Sequence, residues 1–476
     1  MKPEELAEAL TGLLAWAHEN APRPQSEVRR RLEEHLGADP QGLEVLTEAL
    51  SDYDLVNAQV ALEALGALDD VIGLSVEHGW QAGLADLASG EREMMDTATG
   101  PAEYRAVDVG DAVVRCLVAG LLFLEWEGAP LVALLSPSEG MHGEAGARLH
   151  AMAPDRRTAD AWLARLRELM RERNVYRGKV ISLGGGHPFR PAPLTVQTLP
   201  VLRRDQIVLP DAALERIERH TAGLARHRDA LRAGGRHVRR GLLLHGPPGT
   251  GKTLTIMYLA NLMPERTVVL LTGQSLGAVG AAAQLARSLE PSMVVVEDVD
   301  LIAQDRRFSE TTPLLFELLN AMDGLDEDAD IIFALTTNRA DVLEPALVSR
   351  PGRIDLAVEL PLPDAIARRR LHELYARGLE HEIRDWTALV AATDGVSPAF
   401  VKEAFRAAAV LAAEEGGATT EEYVLRAVAD LRSGSGRLTA ALLGAAPPAL
   451  DEVDEVGDAA GDLDEVDDLD EDQAGR

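Results

Sequence analysis

Apolar residues near the start of the chain recur at helical spacing. Leu6, Leu10 and Leu14 fall on one helical face, and Leu32 and Leu36 repeat the interval of four residues. Polar and charged residues fill most of the positions between them. The pattern predicts a small helical segment over the first fifty residues.

The pattern over residues 51–190 mixes strand and helix periodicities. Apolar runs at 121–127 and 131–135 flank a short Gly-Ala-Pro loop, which predicts a β-hairpin. Helical spacing returns at 160–173, and an extended apolar run follows at 175–183. We therefore expect an α+β N-terminal domain that ends at a linker rich in glycine and proline.

Short apolar runs alternate with helical patterns over residues 191–360. The runs at 241–245 and 293–296 have the length and composition of buried strands, and residues 254–263 have that of a helix. This alternation predicts an α/β domain with a parallel sheet and helices on both faces. Residues 361–440 are helical in pattern and predict a small helical domain after the sheet.

Charge is distributed unevenly along the 476 residues, whose net charge is −31. Residues 451–476 hold thirteen Asp or Glu and one Arg, so this block contributes −12. Such a block buries too little apolar surface to fold, and we predict a disordered acidic tail over residues 441–476. The tail is either a solubilising segment or a docking segment for a partner, and the sequence leaves both interpretations open.

Composition also limits the environment of the chain. Cys116 is the only cysteine, which excludes an internal disulfide and a cysteine-clustered metal site. The first residues lack the layout of a signal peptide, and the apolar stretch 116–124 is too short to span a bilayer as a helix. We expect a cytoplasmic protein without a membrane segment, and the preference for arginine over lysine favours a bacterial source.

The first chemical signature is a glycine-rich loop between a predicted strand and a predicted helix. Its sequence fits G-x-x-x-x-G-K-[ST] at every fixed position, a pattern in which backbone N–H groups surround phosphates and the lysine contacts the outer ones. A helix N-terminus also favours bound phosphate. We expect ATP or GTP to be held by Gly246, Pro247, Pro248, Gly249, Thr250, Gly251, Lys252, Thr253 and Leu254.

The second signature is a pair of carboxylates after the apolar run 293–296. Glu297 and Asp298 lie at the distance from Lys252 that a Walker B strand would have. One carboxylate of such a pair holds Mg²⁺ and the other polarises the attacking water. The Thr253 hydroxyl at the end of the glycine-rich loop is a further ligand for Mg²⁺.

With both motifs in place, residues 241–400 closely resemble the AAA family of ATPases. Asn338 matches the family's sensor 1, which orients the attacking water. Arg350 and Arg353 match the two arginines that the family supplies to the ATP of a neighbouring subunit. Residues 395–399 resemble the lid motif, which adds Ala399 to the predicted ATP contacts.

The resemblance implies a P-loop NTPase core with a small helical lid, an ATPase that uses ATP and Mg²⁺, and a ring of identical subunits, most often six. Hydrolysis would then act on the β–γ phosphoanhydride. The chaperone-like action of the family implies that the energy is spent on conformational change in a protein partner. We expect the N-terminal domain to select that partner, whose identity the sequence does not give.

Two positions depart from the family pattern. The usual order of the Walker B carboxylates is Asp then Glu, whereas here Glu297 precedes Asp298. By position in the family pattern, Glu297 takes the metal role and Asp298, the shorter acid, takes the water-activating role, so slow but real hydrolysis is expected. The segment 278–280 stands where unfoldases place an aromatic residue that grips a threaded chain, and it reads Ala-Val-Gly. Without the aromatic side chain, most of the contact area that would hold a threaded polypeptide is lost. Remodelling by movement of the N-terminal domain, or a grip by smaller apolar side chains, fits this sequence better than threading. The alternative interpretation is that the segment is merely a short β-to-α connection, and the sequence leaves both interpretations open.

Two further functions stay in view. A weakly active, nucleotide-dependent assembly module would bind ATP with little turnover, and a DNA-associated ATPase would be stimulated by DNA. Net acidity works against nucleic acid as a partner. The chain also contains a basic stretch, which would either bind nucleic acid or form a solvated or intersubunit face. Its arginines are Arg226, Arg228, Arg232, Arg236, Arg239 and Arg240.

Overall fold

A computed structural model gives the fold of most of the chain. The structure describes residues 12, 27–75, 83–89, 98–139, 145–184, 194–300, 318, 320–323, 329–339 and 353–433. Most of the helical pattern before residue 27, the predicted tail 441–476 and Arg350 lie outside the described residues.

The first part of the described chain is an antiparallel sheet. Its strands follow the order β1–β7–β6–β5–β2–β3, with β4 paired to β5. The strands are β1 (Val45–Ser51), β2 (Val71–Ser75), β3 (Ala98–Gly100), β4 (Glu103–Asp108), β5 (Val113–Trp126), β6 (Ala129–Glu139) and β7 (Ala145–Met152). Residues 45–50, predicted within a helical segment, therefore form an edge strand that pairs with β7. The hydrogen bonds to β7 make this segment a strand, and the local spacing of its apolar residues contains no sign of that partner.

Helices cover both faces of this sheet. They are α1 (Glu27–Leu36), α2 (Asp52–Ala64), α3 (Leu84–Ser89) and α4 (Arg156–Glu172). Alternate strand residues point to opposite faces, so Leu121 and Phe123 pack with α1 and α3, while Leu122 and Leu124 belong to the core that includes α2 and α4.

The predicted hairpin is confirmed by the pairing of β5 with β6. The predicted Gly-Ala-Pro loop is wrong, because Ala129 and Pro130 belong to β6. The turn is two residues long, Glu127 and Gly128, with φ of 53° and 82°. Positive φ at both positions gives a turn whose twist matches that of the strands. The tight turn fixes the register in which Trp126 faces Ala129.

The second sheet follows the order β14–β10–β13–β12–β11–β8–β9 and is parallel except for the antiparallel pair β8–β9. Its strands are β8 (Val180–Leu183), β9 (Leu194–Gln197), β10 (Arg240–His245), β11 (Thr267–Leu271), β12 (Ser292–Val296), β13 (Ile331–Thr337) and β14 (Leu356–Glu359). Every residue of β12 and β13 is buried, as expected for central strands covered on both faces.

Helices again lie on both faces of the second sheet. They are α5 (Asp211–Glu218), α6 (Leu224–Arg226), α7 (Arg228–Ala233), α8 (Lys252–Leu262) and α9 (Val279–Ser288), with a π-helical turn at Arg219–Gly223. Leu259 of α8 packs in one core with Val295, and Leu285 of α9 packs in the opposite core with Val294. Side chains of β12 point alternately to the two faces of the sheet, and so pack against the two helical layers in turn.

Strand β8 belongs to the second sheet, although its apolar run was predicted within the domain that ends at 190. Val180 pairs in parallel with Val268 of β11. A buried cluster runs without interruption from Trp162 on α4 through Ile181 to Val269. The N-terminal domain therefore shares a hydrophobic core with the second sheet, because β8 extends that sheet toward it.

A polar contact also joins the two sheets at the tip of the β4–β5 ribbon. The Lys179 ammonium donates to the backbone carbonyl of Val109 at 2.6 Å and pairs with the carboxylate of Asp111. Gly110 lies so close to Val196 that a Cβ atom there would meet its side chain at 2.5 Å. The ribbon tip is held against β8 and β9.

The last described part is a helical lid, as the pattern over 361–440 predicts. Its helices are α10 (Ala365–Ala376), α11 (Thr387–Ala392), α12 (Pro398–Glu415) and α13 (Glu421–Arg432). Trp386, Phe400 and Phe405 lie at the centre of its own core. Among the described residues, every helix is too short or too polar to cross a bilayer.

A buried histidine makes the lid sensitive to acid. His372 is fully buried, and its Nε2 lies 2.9 Å from the hydroxyl of Thr393, which itself donates to the carbonyl of Leu389. Nε2 therefore carries the proton, and Nδ1 is buried with no hydrogen-bond partner. Burial lowers the pKa of His372 from 6.5 to about 4.

We expect the lid to lose stability as the pH falls through this window. In the unfolded chain the imidazole binds a proton as the pH falls below 6.5, whereas in the folded lid it stays neutral down to about pH 4. This difference lowers the free energy of unfolding by about 2 kcal/mol at pH 5. Urea unfolding of the native chain and of His372→Gln at pH 7 and pH 5 measures the loss. His381→Gln, an exposed lid histidine, is the control and should keep the native pH dependence. An equal pH dependence in His372→Gln would contradict the assignment.

Candidate functional site

The glycine-rich loop runs from the end of β10 into α8 with backbone angles that need glycine. Gly246, Gly249 and Gly251 have φ of 141°, 74° and 98°. A Cβ atom on Gly246 would lie 2.3 Å from the carbonyl oxygen of Leu360. The Thr250 hydroxyl donates to the carbonyl of Pro247 at 2.9 Å and closes the loop. Close packing at both ends fixes its curvature.

Lys252 is the first residue of α8 and is 7 % exposed. Its ammonium donates to the carbonyls of Gly246 and Pro247 at 2.8 and 2.9 Å. Burial lowers the pKa of Lys252, while the negative charges of Asp298 and Asp300 act in the opposite direction. A buried cation thus lies at the loop and within the field of the carboxylates that follow β12.

The Asp298 carboxylate is joined directly to Asn338. The Asn338 amide Nδ2 donates to Asp298 Oδ1 at 3.1 Å, and the Asp298 backbone N–H donates to the hydroxyl of Thr336 at 3.0 Å. Asp298 has φ of 52°, in the left-handed region that Asp and Asn tolerate better than other side chains. The sequence-predicted pair of water-orienting residues is therefore in direct contact.

Asp300 is a site residue that sequence reasoning missed. It is 5 % exposed and accepts from the Thr337 hydroxyl at 2.9 Å and from the Asn338 backbone N–H at 3.2 Å. These bonds hold the residue that contacts Asp298. The only signal in the sequence was a third acid in the run after β12, which has no local feature to separate it from a solvated loop residue.

Glu297 and Thr253 supply oxygen donors of the kind that Mg²⁺ prefers. Glu297 directly follows β12, and its backbone N–H donates to the carbonyl of Leu271 at 3.0 Å. Its carboxylate pairs with no other side chain among the described residues. Thr253 is exposed on the first turn of α8. The donor set fits the metal role that position assigns to it.

The lid reaches the phosphate loop through the start of α12. Ser397 caps this helix by accepting from the Phe400 backbone N–H at 3.2 Å, and the Ala399 N–H donates to the carbonyl of Gly249 at 3.2 Å. Pro248 is exposed beside this contact, and Leu254 packs at the edge of the core beneath α8. Ala399 therefore lies at the loop, as its match to the lid motif implies.

Arg353 is held within its own chain. Its guanidinium forms two hydrogen bonds with the Asp323 carboxylate, at 3.0 and 2.6 Å, and its side chain is 7 % exposed. The Arg353 carbonyl packs so closely on Gly241 that a Cβ atom there would lie 1.6 Å from it. This differs from the expectation of an arginine presented to a neighbouring subunit. Arg350, the other predicted arginine, lies outside the described residues.

The segment 278–280 is part of a helical connection. A 3₁₀ turn, Gly273–Ala278, leads straight into α9, whose first residue is Val279. Val279 is fully buried in the core next to the sheet. Its side chain packs inward, so the structure favours the β-to-α connection over an apolar grip at this position.

Comparison with known proteins identifies the domain that contains this site. Residues 242–362 match the family described as ATPase family associated with various cellular activities (AAA). A 26S proteasome regulatory subunit S10B homolog B from Arabidopsis thaliana is 35% identical over 176 residues, which cover 34% of this chain and 44% of that protein.

Two other relatives come from an archaeon and a bacterium. Proteasome-activating nucleotidase 1 from Halobacterium salinarum is 35% identical over 178 residues, covering 34% of this chain and 43% of that protein. The ATP-dependent zinc metalloprotease FtsH 2 from Sphaerobacter thermophilus is 32% identical over 243 residues, covering 48% and 37%. The chain spans less than half the length of each of these three relatives.

We predict that Arg353 and Asp323 stabilise the fold as a pair. Because one partner is buried and the bonds are bidentate, a double-mutant cycle of Arg353→Gln and Asp323→Asn should give an interaction energy of about 1–3 kcal/mol in urea unfolding. The solvent-screened pair Arg406 and Glu403 is the matched control, and a smaller interaction energy is expected for it. Simple additivity of the two Arg353 and Asp323 substitutions would show that the pair contributes nothing.

Proposed function

Because residues 242–362 form an ATP-hydrolase domain of the AAA family, we propose that this chain couples ATP hydrolysis to conformational change in a protein partner. The observation that carries the proposal is the hydrogen bond between Asn338 and Asp298 beside the buried Lys252. Three groups therefore lie at one edge of the sheet. They are the proposed base Asp298, the amide of Asn338 that orients it, and the Lys252 cation for the phosphates. The same edge touches the lid through Ala399.

Each side chain has a distinct role in the proposed reaction. Lys252 and the N–H groups of the loop bind the outer phosphates of ATP, and Glu297 with Thr253 would hold Mg²⁺, which neutralises charge on those phosphates. The Asp298 carboxylate accepts a proton from the attacking water. Asn338 fixes the orientation of that carboxylate, and Asp300 fixes Asn338.

The route from the site to a partner runs through contacts at both ends of the domain. Beyond the Ala399 contact, the lid is tied to the segment before α5 by Arg377, whose guanidinium donates to Asp205 at 2.6 Å. A change in the conformation of the phosphate loop would therefore change the position of the lid. Across the sheet, β8 and Lys179 connect the second sheet to the N-terminal domain, which we assign the choice of partner.

The relatives favour a protein as the partner. Two are named for the proteasome and one as a protease, so their named tasks concern proteins. Because Val279 is buried, the methyl group of the half-buried Ala278 is the only side chain that the 278–280 segment could offer to a threaded polypeptide. We therefore propose movement of the N-terminal domain as the means of remodelling.

A ring of identical subunits, with six as the commonest number in the family, remains part of the proposal. It rests on the resemblance of Arg350 to an arginine that completes a neighbour's site. Since Arg353 is engaged by Asp323, we assign the intersubunit role to Arg350 alone. ATPase activity that stays constant on dilution to a monomer would overturn this assignment.

We expect Asp298→Asn to keep ATP binding and to lose about 10²–10⁴-fold in turnover, the usual contribution of a general base. Phosphate release from Mg²⁺-ATP and binding of a fluorescent ATP analogue measure the two effects separately. Asn338→Ala should lower turnover by a smaller factor, because it removes only the orienting bond. Lys252→Ala is the control that loses binding itself. Native turnover no higher than that of Lys252→Ala would favour a nucleotide-dependent assembly module.

The same Asp298→Asn variant is expected to retain a protein partner. Bound ATP without hydrolysis should trap the complex, so a partner should be recovered with ATP and lost with ADP, and Lys252→Ala should recover none. Failure to recover a partner with ATP would move the assignment toward self-assembly. Turnover stimulated by DNA, with a steep loss on adding salt, would instead favour the DNA-associated ATPase.

A further inference from the structure

The second domain contains a short segment whose charge opposes that of the whole chain. Residues 219–240, the arginine segment, hold seven arginines and one aspartate, a net charge of +6 with histidine neutral. The chain as a whole carries −31. The segment comprises the π-helical turn, α6, α7 and the residues that lead into β10. The proposed ATPase reaction uses none of these arginines.

Much of this charge is presented to solvent. Arg228 lies 3.7 Å from the carboxylates of both Asp229 and Asp330, and Arg239 donates to the carbonyl of Met322 at 2.7 Å, so these two contribute to the fold. The arginines with exposed side chains in the segment are Arg219, Arg226, Arg232 and Arg236. A dense positive surface of this kind attracts a polyanion.

The matching polyanion is in the same chain. Residues 451–476 carry −12, from thirteen acids and one arginine. The 17 residues from 434 to 450 connect this acidic block to the end of the lid, and that length reaches up to about 56 Å when extended. Charge and tether length both permit the block to meet the arginine segment.

The lid from which that tether starts contacts the helix that precedes the arginine segment. Arg432, at the end of α13, donates to the carbonyl of Asp394 at 2.6 Å, and the Asp394 carboxylate pairs with Arg368 of α10 at 2.8 Å. On the same helix, Arg370 lies 4.0 Å from Asp211, the first residue of α5. Since α5 is eight residues long and runs directly into the arginine segment, one short helix separates this lid contact from the segment.

We propose that the acidic block 451–476 docks on the arginine segment of its own chain. Single exposed ion pairs contribute little, but a tethered block with twelve net charges can form several of them at once. The tether holds the block at an effective concentration of about 1 mM, which favours it over a free nucleic acid that the acidic chain repels. The contact depends on charge, so it weakens as salt is added.

A competition experiment on the full-length chain tests the proposal. A fluorescent synthetic peptide of residues 451–476 is titrated with the native chain and with a neutral-tail variant, in which all thirteen acids of the block become Asn or Gln. Fluorescence anisotropy at low salt should show at least about tenfold tighter peptide binding by the neutral-tail variant, because its arginine segment is vacant. Raising the salt to about 200 mM should weaken that binding.

Arginine variants locate the docking surface. In the neutral-tail background, combined Arg226→Gln, Arg232→Gln and Arg236→Gln should weaken the peptide more than about tenfold, by removing half of the segment's net charge. The matched control is Arg157→Gln, Arg171→Gln and Arg173→Gln, three exposed arginines at α4, which should leave binding within about twofold. Circular dichroism confirms that each variant is folded.

Several outcomes would overturn the proposal. Peptide binding that is absent from the neutral-tail variant, or equal in the two arginine variants, rules out this surface. Competition by the native tail that disappears on dilution assigns the tail to a neighbouring copy. Binding of a 20-nucleotide single-stranded DNA by the native chain, lost in the Arg226, Arg232 and Arg236 variant, assigns the surface to nucleic acid. None of these results depends on ATP turnover.

Discussion

The register of three parallel strands determines where every polar group of the site lies. Strand β13 pairs with β10 on one side and with β12 on the other, so that His245 lies opposite Thr337 and Val296 opposite Leu335. Each strand ends at the same edge of the sheet, and the chain leaves it there in a polar segment. A shift of one residue in either pairing would turn the side chains to the opposite face and separate Asp298 from Asn338.

The unusual order of the two carboxylates agrees with the local backbone. Asp298 has a left-handed conformation in which its N–H reaches Thr336 and its carboxylate reaches Asn338. A short polar side chain tolerates that conformation with less strain than a longer one. The order Glu297 then Asp298 thus places the shorter acid at the strained position, where Asn338 and Asp300 hold it by a chain of hydrogen bonds.

Two extra strands change how the second sheet is connected to the rest of the chain. Because β8 pairs with β11 and β9 with β8, the sheet extends beyond the strands that the family match covers. The extension carries Ile181 into the N-terminal core and Lys179 to the tip of the β4–β5 ribbon. The second sheet and the N-terminal domain are therefore joined by backbone pairing, a shared hydrophobic core and a charged contact.

The sequence by itself determined the phosphate loop, the carboxylates after β12, Asn338 and the existence of the β5–β6 hairpin, because each depends on residues close together in the chain. Tertiary structure alone decided that Arg353 pairs with Asp323, that Asp300 supports Asn338, that β8 joins the second sheet and that Val279 is buried. These features join residues far apart in sequence, or depend on which face of a helix packs on the sheet. Local periodicity contains no information about such partners, since the packing of whole elements chooses them.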